Sequence, residues 1–160
     1  MRFSHQLRYD ASPDEVRAML ADPAFRERVC EAMHASRHTV SVTGSGAGMT
    51  VEVDQTQPAR GIPSFASKFV GDEIRIVQRE RWTDTTTAAL DIEVPGKPGT
   101  MAGGIRLEPV GGGTVERVTG DIRVKVPLVA GKIEGLVEDI LRSALETEQR
   151  VGRAWLAGDR

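Results

Sequence analysis

The sequence predicts an α+β fold in which a seven-stranded curved antiparallel sheet wraps one long C-terminal helix, with two short helices after the first strand. Two observations predict it. Residues Pro127 to Ala157 carry apolar side chains at helical spacing (Val129, Ile133, Leu136, Val137, Ile140, Leu141, Ala144, Val151, Trp155), while Lys132, Glu134, Glu138, Arg142, Glu146 and Arg150 fall off that stripe. Such a helix is roughly 45 Å long, more than a small core needs, so one face must lie along an extended apolar surface. Between Thr39 and Val126 the pattern is instead that of strands punctuated by glycine turns, which supplies that surface.

Each element has a local reason. Met1 to Tyr9 alternate, with Phe3, His5, Leu7 and Tyr9 on one face and Arg2, Ser4, Gln6 and Arg8 on the other, as in a half-buried strand. Ser12-Pro13-Asp14-Glu15 combines a hydroxyl N-cap, a proline at the first helical position and a capping-box glutamate, opening a helix to Leu20 or Ala21. Asp22-Pro23 stops it and caps a second helix over Ala24 to Ala35. Three hairpins follow. Thr39–Ser45 and Met49–Thr56 flank Gly46-Ala47-Gly48; Glu73–Trp82 and Thr85–Val94 flank Thr83-Asp84; Thr100–Val110 and Thr114–Val126 flank Gly111-Gly112-Gly113. Pro127 then breaks the last strand and opens the terminal helix. The one long connection, Gln57 to Gly71, holds Pro58, Gly61, Pro63, Phe65 and Phe69.

Composition bounds the function. The 160 residues favour one domain, 1–160, with enough chain for a substantial core. A net charge of −2 with interleaved signs argues against a nucleic-acid partner. No stretch reaches the ~20 apolar residues of a membrane span, and MRFSHQLRYD has no signal-peptide core, so a cytoplasmic protein is expected. The single cysteine, Cys30, excludes an internal disulfide and fits a reducing compartment.

The order of elements, together with Tyr9-Asp10-Ala11-Ser12-Pro13-Asp14-Glu15-Val16 at the first helix entry and the Asp22-Pro23-Ala24-Phe25 break, resembles the START-like superfamily. That superfamily is also called SRPBCC, Bet v 1-like or polyketide cyclase/dehydrase and lipid transport. More narrowly, the chain looks like an actinobacterial family of uncharacterised START-like proteins. The resemblance spans the whole chain and implies a helix-grip fold with a hydrophobic cavity between sheet and terminal helix. It carries no catalytic motif and no cofactor, and fold does not fix chemistry.

If the concave face meets the helix, alternation turns Ile74, Ile76, Gln78, Glu80 and Trp82 inward, with Met101, Ile105 and Leu107, and Val118, Ile122 and Val124, from later strands. The polar members of that face are His5, Gln78 and Glu80. His5 reads either as a hydrogen-bonding or proton-transfer group or as a satisfied, partly exposed histidine. Gln78 and Glu80 read either as inward polar groups or, through a register slip or bulge, as outward residues that solvate the sheet. An inward Glu80 needs a partner such as His5 or an arginine, because an unpaired buried carboxylate costs several kcal/mol. Cys30, His34 and His38 share a spacing of four, but Ser36-Arg37 marks a helix exit and no fourth ligand is evident, so no metal site is expected. The glycine runs are hairpin turns, since neither opens a helix as a phosphate loop does. Arg75, Arg79, Arg81, Arg117, Arg123 and Lys125, interleaved with Glu73, Asp91, Glu93, Glu108, Glu116 and Asp121, read as a solvated outer face. The expected function is a non-enzymatic binding protein for a hydrophobic ligand, lipid-like or polycyclic. Its contacts would be His5, Leu7, Tyr9, Phe65, Phe69, Gln78, Trp82, Met101, Ile105, Val137, Ile140 and Leu141. The alternatives are an aromatase/cyclase-type enzyme using His5 or Glu80, and a structural or partner-binding domain whose cavity has closed.

Overall fold

The structure, a computed structural model, describes residues 1–160. The strands are β1 (Arg2–Tyr9), β2 (Arg37–Thr43), β3 (Thr50–Pro58), β4 (Glu73–Trp82), β5 (Thr87–Glu93), β6 (Gly99–Val110) and β7 (Gly113–Val124), and the helices are α1 (Pro13–Leu20), α2 (Pro23–Ala32), α3 (Ser64–Val70) and α4 (Ala130–Leu156). All strands form one antiparallel sheet in the order β1-β7-β6-β5-β4-β3-β2. The meander places every consecutive pair of strands from β2 to β7 side by side, and β1 closes on β7, with Phe3 opposite Gly120 and Leu7 opposite Glu116.

The helix entries follow their sequence signals. Ser12 Oγ accepts from Glu15 N and Asp22 Oδ1 accepts from Ala24 N, so both short helices are capped as their residues dictate. Helix α2 ends at Ala32 rather than Ala35, and His34 leaves it with φ 60°. The trio Cys30, His34 and His38 therefore does not share a helical face: Cys30 is buried on α2, while His38 sits on β2. Asp84 takes the N–H and hydroxyl of Thr86 into a turn, which delays β5 to Thr87. Pro127 does not open the terminal helix. It forms a turn in which Val129 N donates to Pro127 O, and Leu128 stands fully exposed at φ 70° before the helix begins at Ala130.

The long connection contains helix α3. Its Ala66 is buried, and Phe65 and Phe69, both expected to contact a ligand, split: Phe65 is 37% exposed and Phe69 turns inward. Helix α4 behaves as two parts. Its C-terminal third is locked to the core, with Glu148, Gly152 and Trp155 buried, and the Trp155 ring meeting Phe25 edge-on at 5.6 Å. Its first two-thirds bury no residue completely, although Ile133, Leu136, Val137, Ile140 and Leu141 face the sheet. Space beneath that part of the helix is the reason.

Candidate functional site

Two chambers lie between α4 and the concave sheet, and both are bounded by Ile92, Met101 and Leu141. The outer chamber, about 140 Å³, is lined by 19 residues of which 15 are hydrophobic. Ile74 and Ile76 of β4, Ala66 and Phe69 of α3, and Ile133, Val137 and Ile140 of α4 form its walls. Helical spacing on α4 and two-residue alternation on β4 thus aim their apolar sides at the same space. The inner chamber, about 70 Å³, extends toward Phe3, Val29, Cys30, Ile105 and Val118, and ends on Arg26, Gln78, Glu80, Glu116 and Glu148.

This inner wall holds most of the buried charge in the molecule. Arg26 Nη1 and Nη2 donate to Glu80 Oε2 and Oε1, both at 2.8 Å, with side-chain exposures of 4% and 0%. Arg26 Nε donates to Leu20 O at 2.8 Å. Glu80 also accepts from Gln78 Nε2 at 2.6 Å and from Trp82 Nε1 at 3.0 Å, so its two oxygens receive four donors. That arrangement meets the cost of burying the pair, since charge-assisted bidentate bonds are the strong kind. The Arg17 guanidinium covers the far side, 4.6 Å above the Trp82 ring, with Nη2 donating to Gly46 O. Glu80 is inward and not turned to solvent by a slip or bulge, and its partner is Arg26 rather than His5.

Two further carboxylates stand beside this pair. Glu148 Oε1 lies 3.8 Å from Arg26 Nη1, and burial, partly opposed by Arg26 and reinforced by Glu80, raises its pKa to about 7. Glu116 is 1% exposed and its Oε1 has no hydrogen-bond partner. Burial first, then the neighbouring Glu148, pushes its pKa well above the usual carboxylate range. Assigning Glu116 to the solvated outer face is therefore corrected. It has the parity of Val118 and Ile122, and it sits opposite Leu7 and Leu107 in the two ladders. Burial, with Glu116 and Glu148 adding to it, likewise raises the Tyr9 phenol, whose hydroxyl is buried without a partner.

Of the side chains expected to contact a ligand, Phe69, Val137 and Ile140 line the outer chamber, Gln78 and Ile105 the inner, and Met101 and Leu141 both. The remaining five line neither chamber. Leu7, Tyr9 and Trp82 belong to the solid core. There α4 comes so close that a Cβ added at Gly152 would lie 2.7 Å from Tyr9 Cε1. Phe65 points outward. His5 Nδ1 faces Arg142 Nη1 at 3.2 Å. Because arginine can only donate, the imidazole proton sits on Nε2, which is buried and unpartnered. Burial and then Arg142 lower the His5 pKa, keeping the ring neutral. The residues that sequence reasoning missed are Arg26, Glu116 and Glu148. Glu116 was accessible from strand parity, and Glu148 from its place on the stripe with Leu141, Ala144, Val151 and Trp155. The position of Arg26 against β4 is a tertiary fact with no local signal.

The comparisons with known proteins agree with this architecture. The profile of a family described as "Protein of unknown function (DUF2505)" matches residues 4–156. The chain belongs to that family. Uncharacterised proteins of Mycobacterium tuberculosis and Mycobacterium bovis are each 25% identical to it over 163 residues, covering 94% of both chains. Among solved structures, TTHA0849 from Thermus thermophilus superposes with a TM-score of 0.69 at 14% identity, covering 98% of this chain and 97% of that one. Ara h 8.0201 gives a TM-score of 0.59 at 12% identity, over 95% of this chain and 97% of that chain. The di-domain ARO/CYC StfQ from the steffimycin biosynthetic pathway gives 0.65 at 11%, over 98% of this chain and 50% of that one. At such identities the likeness establishes a shared helix-grip fold and nothing of the chemistry.

Proposed function

We propose that this protein binds a hydrophobic small molecule, lipid-like or polycyclic, in the space between α4 and the sheet. One observation carries the reading: the outer chamber is walled by apolar side chains from α3, α4, β4, β5 and β6, and α4 stays half-buried above it instead of collapsing onto the sheet. A closed structural domain would fill that volume with side chains, because protein interiors pack to crystal-like density. Covering ~300 Å² of ligand apolar surface at ~25 cal/mol/Å² contributes about 7 kcal/mol before ordering costs, which corresponds to micromolar binding at best. Selectivity must then come from the polar inner wall. The fold neighbours Ara h 8.0201 and the ARO/CYC protein StfQ share the helix-grip architecture on which this reading rests.

A second reading, acid–base catalysis of the cyclase kind, has one observation in its favour: carboxyl groups with raised pKa facing a chamber. In this fold that work would fall to Glu116 and Glu148. Glu80 has its oxygens filled by donors, and His5 is turned toward Arg142.

The test of binding is displacement of an apolar fluorescent dye by long-chain alcohols and by polycyclic aromatics, in the wild type and in Ile140→Trp. Wild type should hold the dye at micromolar concentration, and Ile140→Trp should lose it while keeping its circular dichroism spectrum. Equal dye binding in both proteins would place the hydrophobe elsewhere and defeat the proposal.

A further inference from the structure

The polar groups of the inner chamber are unevenly partnered. Each of its side-chain nitrogens is turned to a protein acceptor. Arg26 serves Glu80 and Leu20, Gln78 Nε2 serves Glu80, and Gln55 Nε2 faces Met33 Sδ. What remains open toward the chamber is carboxyl: Glu116, with an oxygen that has no partner, and Glu148, held only by the 3.8 Å approach to Arg26. Carboxyl groups also outnumber cationic ones. Glu80 from β4, Glu116 from β7 and Glu148 from α4 surround the single guanidinium of Arg26 from α2. Tyr9 of β1 adds no positive charge, and Arg17 of α1 is committed to the Trp82 face and Gly46. Elsewhere the wall is apolar, with Met101 and Ile105 of β6 and Leu141 and Leu145 of α4. The carboxylates do not converge on one point as metal ligands would.

A group that brings positive charge and N–H donors into this chamber meets two carboxyls that can give up their protons and accept from it. We infer that the inner chamber is the head-group site for a hydrophobic amine, whose ammonium sits against Glu116 and Glu148 while its apolar part occupies the outer chamber. The inference rests on the proposed binding function and names the ligand class. A volume of about 70 Å³ admits several water-sized groups and so holds an ammonium with its first carbons. The empty site keeps protons on its carboxyls, because buried, crowded carboxylates resist ionisation. An arriving ammonium reverses that preference. Binding therefore releases protons, and affinity rises with pH until the amine itself loses its proton near a pKa of about 10.

The experiment is calorimetric titration of the wild-type protein with decylamine, decanol and decanoate, which share one apolar tail. Decylamine should bind at least tenfold more tightly than decanol at pH 8, and decanoate most weakly. Repeating the amine titration in buffers of different ionisation enthalpy should show proton release, and its affinity should climb from pH 6 to pH 8. In Glu116→Gln the amine-to-alcohol affinity ratio should fall toward one. If decanol or decanoate binds as tightly as the amine, the head-group assignment is wrong and the apolar binding function stands. If none of the three binds at millimolar concentration, both are wrong. The wild-type series and its proton count decide the matter even if Glu116→Gln fails to fold.

Discussion

Glu116 and Glu148 define how the protein answers to pH. Both have folded-state pKa values above those of an exposed glutamate, so the native state holds protons that the unfolded chain gives up. Stability from such groups is fully present below the unfolded pKa, about 4.5, and is lost as pH rises through the folded value, about 7 for Glu148. His5, lowered from 6.5, acts in the opposite direction but is a single, partly exposed group. The ligand-free protein should therefore melt at a higher temperature at pH 5.5 than at pH 8. Glu116→Gln should flatten that slope and raise the melting temperature at pH 8, as thermal denaturation at both pH values would reveal. A wild-type melting temperature that rises over this range would contradict the buried-acid assignment. Arg26 is the opposite kind of residue. Burial disfavours its charge, but Glu80, Glu148 and Glu116 more than offset that and hold the guanidinium protonated. Arg26→Ala should cost about 3–5 kcal/mol in urea unfolding, because it strands Glu80 in the core without its partner. At this scale the sequence was partly legible. It showed that an inward Glu80 required a partner, but not that α2 would deliver one from 54 positions away in the chain.

Elements were more legible than residues, because periodicity and turn chemistry are local. The capping residues Ser12 and Asp22 act as their types dictate, and β4 runs from Glu73 to Trp82 as its alternation indicated. Errors fell at helix and strand ends, where a competing local bond decides: the Asp84 turn shortens β5, and the Pro127 turn delays α4 to Ala130. The close approach of β6 and β7 was hidden, since only the ladder shows that Gly103 faces Gly120. A Cβ at Gly103 would lie 1.9 Å from the Thr119 carbonyl oxygen, and one at Gly120 would lie 2.7 Å from that of Ala102. Both obstacles are backbone and cannot swing aside. Gly103→Ala should therefore yield protein that expresses insoluble or melts at least 10 °C lower, whereas Gly131→Ala on α4, which meets nothing within 4 Å, should melt at or above the wild-type temperature. Equal melting of Gly103→Ala and wild type would show that the two strands are not so closely apposed.

For the molecule as a whole, the long helix and the sheet are matched at one end and separated at the other. Trp155, Gly152 and Tyr9 close the C-terminal end of α4 against β1 and α1, so the fold does not depend on the N-terminal two-thirds collapsing. That division lets the domain stay folded while keeping apolar space, and the half-buried stripe from Ile133 to Leu141 is its sign. The α+β class and the helix-grip arrangement followed from the sequence because they depend on element order. The division of the cavity into an apolar outer part and an acidic inner part did not, because it arises from residues on α2, β4, β7 and α4 meeting in space. The most direct check is a methyl-resolved NMR titration of the protein with decanol. The methyl signals of Ile74, Ile76, Val137, Ile140 and Leu141 should shift together and saturate at one ligand per chain. Shifts confined to exposed methyl groups such as those of Val110 and Leu128, with the chamber methyls unmoved, would contradict an internal binding site.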